Sequence, residues 1–524
     1  MSSFNYQTLL PYVEKIDICG VLIVDGKTYG RYNDKLLYKC IPDSTNLPHF
    51  LIPYEEKNNT FSKLKVNKYI TFKVKEWNDK QQHPIGIITN TIGDVESIEA
   101  YTSYQLISYE LNSSIKELNN ATIRALRVNP MSAMPQIYRE NYKIEDRRSY
   151  PIISIDPEGC TDIDDAIGLR ITPDGGSIIS IYISNVPLML EYLNLWTSLS
   201  DRISTIYLGD KKIPMLPMSL SENMFSLLQG QDRCVFAIDI HIELNPATQA
   251  KHITKYSYHT ALIRVENNYA YEASELLVRS DYQEMLKLIK YFNQETFYGH
   301  LSYVEKVKDS HDLIEFCMIL MNYECSKILL KKERGIFRSA SKKEVDCDGS
   351  GAEVPSAIKH IVQNVAGEYC LVNDVKPHEL IAGGLDSYVH ITSPIRRLVD
   401  CINMLEIQRG TYINSVESTQ FLEKWLGKID IINKKTKATR RLQNEVELLR
   451  LYEITHNQVY NGIVFAQTST GNDMYKYKVY IPYIKLLTSV YSERDIKNYS
   501  LMDFTVHLFL DESKMSKKVR LQML

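Results

Sequence analysis

The chain has 524 residues, 44% hydrophobic and 24% charged, with a formal net charge of −3, the profile of an ordinary globular protein with room for roughly two to four domains. No apolar run approaches the length of a membrane span, and the opening Met1-Ser2-Ser3-Phe4 lacks the basic-then-apolar pattern of a secretion signal. Nine cysteines without a CxxC pair argue against a disulfide scaffold and a zinc site, and for a reducing intracellular compartment, the cytoplasm first with the nucleus left open.

In chain order, residues 1–105 read as β-rich. Gly20–Val24, Lys35–Ile41, His49–Tyr54 and Tyr69–Lys75 are short apolar and β-branched runs separated by turn residues. Five such strands suit an OB-fold barrel, a common binder of single-stranded nucleic acid. Residues 106–150 read as a helical linker ending in Glu145-Asp146-Arg147-Arg148. Residues 151–456 mix strands with long helices, one of which, Phe421–Thr455, carries a basic cluster at Lys434, Lys435, Lys437, Arg440 and Arg441. From 457 to 524, Asn461–Phe465, Tyr475–Ile481 and Thr505–Leu510 alternate as short strands and predict a second small barrel. A further basic cluster follows at Lys514, Lys517, Lys518 and Arg520. Each cluster fits either a nucleic-acid contact or a plain solvated face. The predicted class is α+β, a central mixed α/β domain flanked by two OB barrels.

Within the central block, Asp156, Asp162, Asp164 and Asp165 fall in one short segment with no cation among them. Carboxylates this close repel and take up protons unless something positive joins them. The usual partner of an all-oxygen cluster is a hard divalent ion, Mg²⁺ with Mn²⁺ as the substitute. Pro151–Ile155 predicts a buried strand that delivers Asp156 at its end, and Pro157 and Gly159 then force a turn. In an extended return, Asp162 and Asp164 would face one side and Asp165 the other. The alternatives are a solvated acidic loop and an EF-hand; the latter fails because Ala166 stands at its fifth position and the Gly and Glu offsets are wrong.

Two more blocks stand out. One is Ile213-Pro214-Met215-Leu216-Pro217, followed by Ser226-Leu227 and Asp232-Arg233. The other runs from Tyr388 and His390 through Thr392-Ser393-Pro394-Ile395-Arg396-Arg397-Leu398 to Asp400. Ser393 suits a helix N-cap and Pro394 the first helical position, which would set Arg396 and Arg397 at a helix start suited to cradling phosphate. The alternative is a structural Arg396–Asp400 pair on one helix face.

Together these ordered blocks resemble the RNB exoribonucleases, the RNase II and RNase R group that includes the catalytic subunit of the eukaryotic exosome. The family signature, an Asp, five residues, then Asp-x-Asp-Asp-Ala, is intact from Asp156 to Ala166. The resemblance runs from about residue 20 to the C-terminus. The stretch Trp77–Gly93 is similar to a cold-shock domain of the exosome-subunit branch, though one such domain fits where the family usually has two, and that subunit's N-terminal endonuclease-like domain has no counterpart.

The resemblance implies a metal-dependent exonuclease that shortens single-stranded RNA from its 3′ end and releases 5′-monophosphates. Asp156, Asp162, Asp164 and Asp165 would build a two-metal site, Asp156 and Asp165 holding one ion and the other pair serving the second ion and the water. Arg396 would act on the phosphate with Arg397 beside it. Tyr271, with Tyr269 as a near competitor, would stack on a base; Arg233 would contact the backbone, and His390 with Tyr388 would shape the RNA pocket. No His or Lys near the acidic motif suits a general base, so water activated by metal is expected. Implied partners are RNA, an RNA helicase or an exosome-like complex, and no membrane. Departures from the family pattern occur at Tyr182-Ile183-Ser184-Asn185-Val186 (usually His-Ile-Ala-Asp-Val), at Leu398 (usually Tyr), at Met404-Leu405 (usually His-Arg), and after Arg338, where a His is usual. They keep a rival open, an RNA-binding adaptor with impaired catalysis, and a DNA nuclease behind it.

Overall fold

The computed structural model describes residues 16–55, 65–77, 83–129, 140, 142, 144–209, 211–244, 250–294, 303–304, 306–341, 355, 358, 367–379, 381, 384–455, 458–470, 474–484, 486–511 and 516–524. The chain divides into two compact units, Met1–Asn112 with Asp346–Ile361 and Lys437–Leu524, and Ser113–Val345 with Val362–Thr436.

The first unit opens with β1 (Ile18–Tyr32), β2 (Lys35–Pro42), β3 (Phe50–Tyr54), β4 (Lys68–Glu76) and β5 (Ile85–Asp94), closed into a barrel in the order β1-β2-β3-β5-β4. Leu22, Val24, Cys40, Phe50, Ile52, Ile70 and Phe72 point inward and are buried together, as period-two alternation requires. Of the stretch from Trp77 to Gly93, residues 78–82 lie outside the described residues. Helix α1 (Ile98–Ser108) follows, its N-terminus closed by Ser97 Oγ accepting the Ala100 N–H at 3.2 Å.

The second unit begins with α2 (Lys116–Val128) and is built on a seven-stranded sheet. Its strands are β6 (Glu145–Asp146), β7 (Ile152–Asp156), β8 (Asp165–Ile171), β9 (Ser177–Ser184), β12 (Asp232–Leu244), β13 (Lys251–Arg264) and β14 (Asn267–Ala270), in the order β14-β7-β8-β9-β12-β13-β6. A hairpin, β10 (Ile206–Leu208) and β11 (Lys211–Ile213), stands apart from it. Both faces are covered, so the strands read as continuous apolar runs rather than alternating ones. Ile153, Ile155, Ile167, Ile181, Ile183 and Ile238 face one core with helices α4 (Ser280–Gln294) and α5 (Ser310–Lys331). Their neighbours Ile152, Ala166, Tyr182, Val235 and Ala237 face another. Each inward isoleucine contributes about 1.5–3 kcal/mol, and a one-residue slip would exchange the two faces. Short helix α3 (Val186–Tyr192) lies between β9 and β10, and the unit is completed by β15 (Ile336–Ser339), β16 (Glu368–Leu371), α6 (Leu398–Gln408) and α7 (Val416–Leu426).

Helix α8 (Ile429–Thr455) leads to β17 (Val459–Ser469), β18 (Tyr475–Ile481), β19 (Leu486–Ser492), β20 (Leu501–Asp511) and β21 (Ser516–Met523), paired β19-β18-β17-β20-β21. No ladder joins the edges β19 and β21 among the described residues, but both line one cavity of about 340 Å³, the partly open form of a five-stranded OB barrel.

Four local expectations change. The end of the expected linker belongs to the sheet: Glu145–Asp146 pairs parallel to β13, and Arg147 is buried in a bidentate ion pair with Asp239 at 2.8 and 2.9 Å. The expected helix Phe421–Thr455 is two helices, α7 closing at Gly427 before α8 starts. Helix α6 starts at Leu398, not at Pro394, because Ser393–Arg397 turns back on itself through N–H bonds from Arg396 and Arg397 to the Ser393 carbonyl. The basic cluster on α8 is partly internal: Lys435 donates to the Asp201 carbonyl and Arg441 pairs with Glu445. In the second basic cluster, Lys514 and the side chains of Lys517, Lys518 and Arg520 lie outside the described residues.

Candidate active site

Strands β7 and β8 are antiparallel neighbours, Ile152 opposite Gly168 and Ile153 opposite Ile167. The end of one and the start of the other therefore meet at one edge, where Asp156 closes β7 and Asp165 opens β8. Gly168 permits the approach, since a Cβ there would lie 2.6 Å from the Pro151 carbonyl oxygen. Gly159 makes the turn between them at φ +77°.

All four aspartates line one cavity of about 1080 Å³, but they do not share one environment. Asp162 is held by two groups of the β10–β11 hairpin: Tyr207 Oη donates to Oδ2 at 3.1 Å and Lys212 Nζ to Oδ1 at 2.8 Å. Asp164 accepts the Ile395 N–H at Oδ1 and Arg396 Nε at Oδ2, both at 2.9 Å. Asp156 Oδ2 and Asp165 Oδ2 are buried and accept no hydrogen bond. The expectation that Asp162 and Asp164 face one way and Asp165 away does not hold, since all three line the same cavity and residues 161–164 belong to no regular element.

Electrostatics follow this division. Burial pushes Asp156 up to about 6, and Asp162 adds to the rise while Ser154 and Arg396 oppose it. Burial, then the charges of Asp156 and Asp164, hold Asp165 well above the carboxylate range. Burial also raises Asp164 to about 7, outweighing Arg396 and the Ile395 N–H. Burial works against the Lys212 charge, yet its bonds to Asp162 and Glu222 hold the ammonium above its ordinary value.

The second motif forms the opposite wall. Arg396 Nη2 donates to Ser393 Oγ at 2.9 Å, so Arg396 ties the motif to Asp164 while 42% of its side chain stays exposed. Arg397, not Arg396, pairs with the fully buried Asp400, at 2.9 Å. Both arginines line the cavity. His390 Nδ1 meets Tyr369 Oη at 2.8 Å, and the Tyr388 hydroxyl accepts from Asn322 Nδ2 at 2.9 Å. Tyr271 lines the cavity too, its ring stacked on His311 with centroids 3.7 Å apart and planes at 10°. Tyr269 is absent from the lining; its hydroxyl meets Arg279 at 3.4 Å. Arg233 does not belong to the site: its buried guanidinium donates to the carbonyls of Ser226, Asp232 and Asn223. It is a structural residue, because it is buried away from the cavity lining and bound to three backbone carbonyls.

Sequence reading missed Tyr207, Lys212 and His311. The signal for the first two was present, since Lys211-Lys212 directly precede the Ile213–Pro217 block; His311, on α5, had none. The departures from the family pattern sit outside this cavity. Tyr182 packs against the Arg147 guanidinium, Asn185 exchanges two 3.0 Å amide bonds with Gln408, and Leu398, Met404 and Leu405 are core.

No cluster of three or more His, Cys, Asp or Glu able to hold a metal occurs among the described residues. The site instead offers a pair, Asp156 and Asp165, each with a bare buried oxygen. A pair fits Mg²⁺, which keeps several waters and binds through one or two carboxylates plus substrate phosphates. No described helix is long and apolar enough to cross a membrane.

Fold and site together define an RNB-type protein. Residues 144–296 match the RNB domain and residues 37–110 the Dis3-like cold-shock domain 2, so the chain carries an RNB domain and is similar to the Dis3-like branch of that family. Among its relatives, the exosome complex exonuclease dis3 of Schizosaccharomyces pombe is 26% identical over 221 residues, covering 38% of this chain. The match spans only 22% of that relative's length. Mycoplasma genitalium RNase R superposes with a TM-score of 0.66 at 15% identity, over 97% of this chain and 90% of the other. Yeast Ssd1, described as a pseudonuclease, superposes with a TM-score of 0.59 at 17% identity, over 90% and 65%.

Proposed function

We propose that this chain is a divalent-metal-dependent exoribonuclease that hydrolyses single-stranded RNA from the 3′ end and releases nucleoside 5′-monophosphates. The observation that carries this is the pair of bare, buried oxygens on Asp156 and Asp165, two residues that line a cavity also lined by Arg396 and Arg397. Buried carboxylates without a partner are costly, and a divalent ion relieves both at once. An ion bound there, Mg²⁺ or Mn²⁺, supplies charge neutralisation at the phosphate and activation of the attacking water. The chain's own groups do the rest. Arg396 and Arg397 direct guanidinium N–H groups at phosphate oxygens, and Tyr271 presents a ring on which a base can stack, a contact worth about 1–3 kcal/mol. Asp164 holds Arg396 in register, and Asp162 holds the hairpin over the site. Of the basic groups lining the cavity, Lys212 is committed to carboxylates, His311 is stacked on Tyr271 and His390 Nδ1 meets Tyr369 Oη.

The direction of degradation and the choice of RNA rest on the family resemblance. Association with an exosome-like complex rests on the name of the Schizosaccharomyces pombe relative. A reducing intracellular setting, cytoplasmic first, accords with the free state of every described cysteine.

The second reading, an RNA-binding adaptor, is favoured by one observation: both oxygens of Asp162 and of Asp164 are occupied by protein donors, and the fold also serves a pseudonuclease. A 5′-labelled oligoadenylate, with Mg²⁺ or EDTA, separates the two. The nuclease shortens it stepwise from the 3′ end with metal only, and Asp164→Asn abolishes shortening while binding persists. Identical binding without degradation by wild type and D164N would establish the adaptor, and internal cuts would overturn the exonucleolytic assignment.

A further inference from the structure

The β10–β11 hairpin carries an arrangement that the hydrolytic function does not require. Tyr207 and Lys212 are directly opposite each other across its two strands, and both reach Asp162, one at each oxygen. The Lys212 ammonium has three N–H donors, and three acceptors surround it. These are Asp162 Oδ1 at 2.8 Å, Glu222 Oε1 at 2.8 Å and Thr161 Oγ1 at 3.3 Å. Glu222 comes from the turn of helix Ser219–Met224, which follows the Ile213–Pro217 block. An ammonium with every donor engaged is a fixed charge, not a solvated tether, and only 23% of this side chain is exposed.

Charge balance gives the same answer. Six carboxylates line the cavity, Glu158 and Glu315 among them; of the four clustered aspartates, Asp162 and Asp164 already have a cation each in Lys212 and Arg396. The two left over are Asp156 and Asp165, whose bare oxygens one divalent ion neutralises. A second divalent ion at Asp162 would have to displace the ammonium or lie against it, like charge against like.

We propose that Lys212 stands in for the second divalent ion, so that this site takes one ion, at Asp156 and Asp165, and neutralises Asp162 with its own side chain. This rests on the metal-dependent hydrolysis proposed above. Lys212 is then a positioning residue with an electrostatic role: it keeps Asp162 charged and locked to the hairpin without a metal.

Counting bound Mn²⁺ tests it. The full chain is titrated with Mn²⁺ near neutral pH, and the free ion is followed by its electron paramagnetic resonance signal. Wild type is expected to bind one Mn²⁺ per chain, Asp156→Asn to lose it, Lys212→Arg to keep one, and Lys212→Met to bind two. Two ions on wild type would overturn the proposal and leave the hydrolytic function standing, and this result decides the matter even if K212M fails to fold. One ion on a folded K212M would overturn the role of the lysine. No ion on wild type, together with RNA shortening that EDTA does not affect, would overturn the metal-dependent function and this proposal with it.

Discussion

At the scale of single residues, the four aspartates differ in what compensates their charge. Asp162 and Asp164 have cationic partners, whereas Asp156 and Asp165 have each other. Burial, with repulsion added, raises both of the latter, Asp156 to about 6. A raised carboxyl pKa means that the ion-free folded chain keeps protons the unfolded chain has released. These groups therefore stabilise the ion-free fold least at high pH, the loss growing as pH rises through their folded values. On the proposed function, a divalent ion would bind the deprotonated pair and cancel that loss. The rise in melting temperature caused by Mg²⁺ should accordingly be small near about pH 5 and several-fold larger near about pH 8. Melting curves with Mg²⁺ and with EDTA at the two pH values check this, and an increment independent of pH would remove Asp156 and Asp165 as the ligands.

Among elements, the decisive contact is that of β7 with β8, because it brings two aspartates nine positions apart to one edge. Gly168 is the point of closest approach, and any side chain there meets the Pro151 carbonyl. Gly168→Ala should cost about 1–3 kcal/mol, read as a lower urea midpoint. It should also weaken Mn²⁺ binding, since the strands must part where the carboxylates are held. Strand identity here was legible in the sequence: a β-branched run ending in Asp156, then a Pro-Gly turn. The hairpin β10–β11 was not read as strands, since each strand has only three residues, too few to show a period. The helix start at Ser393-Pro394 was misread for a related reason. Local propensity favours a cap there, but Asp164 takes the Ile395 N–H and Asp400 takes the Ser393 N–H, and those long-range bonds hold the segment as a turn until Leu398.

For the whole molecule, the units are not contiguous in sequence: both ends of the chain build one of them. Within that unit Leu449 of α8 is buried with Tyr101 and Tyr104 of α1, and Tyr101 Oη donates to Glu445 Oε2 at 3.0 Å. Leu449→Ala should cost about 2–5 kcal/mol. Its mark would be faster amide exchange in α1, far away in sequence, with the β7–β8 sheet unchanged. Exchange unaltered in α1 would show that the two ends do not stabilise each other.

Two classes of fact separate here. The acidic motif, its need for a cation, the strand that presents it and the barrel strands follow from local spacing and apolar periodicity, which neighbouring residues impose on each other, and the family from the resemblance of three ordered motifs. The partner of each aspartate does not. Asp162 meets Lys212 50 positions away and Asp164 meets Arg396 232 positions away, while Arg233, beside a family motif, is buried against three backbone carbonyls. Such pairings depend on which strand lies beside which and in what register. Only the folded chain decides that, and with it which two carboxylates keep a buried oxygen without a donor.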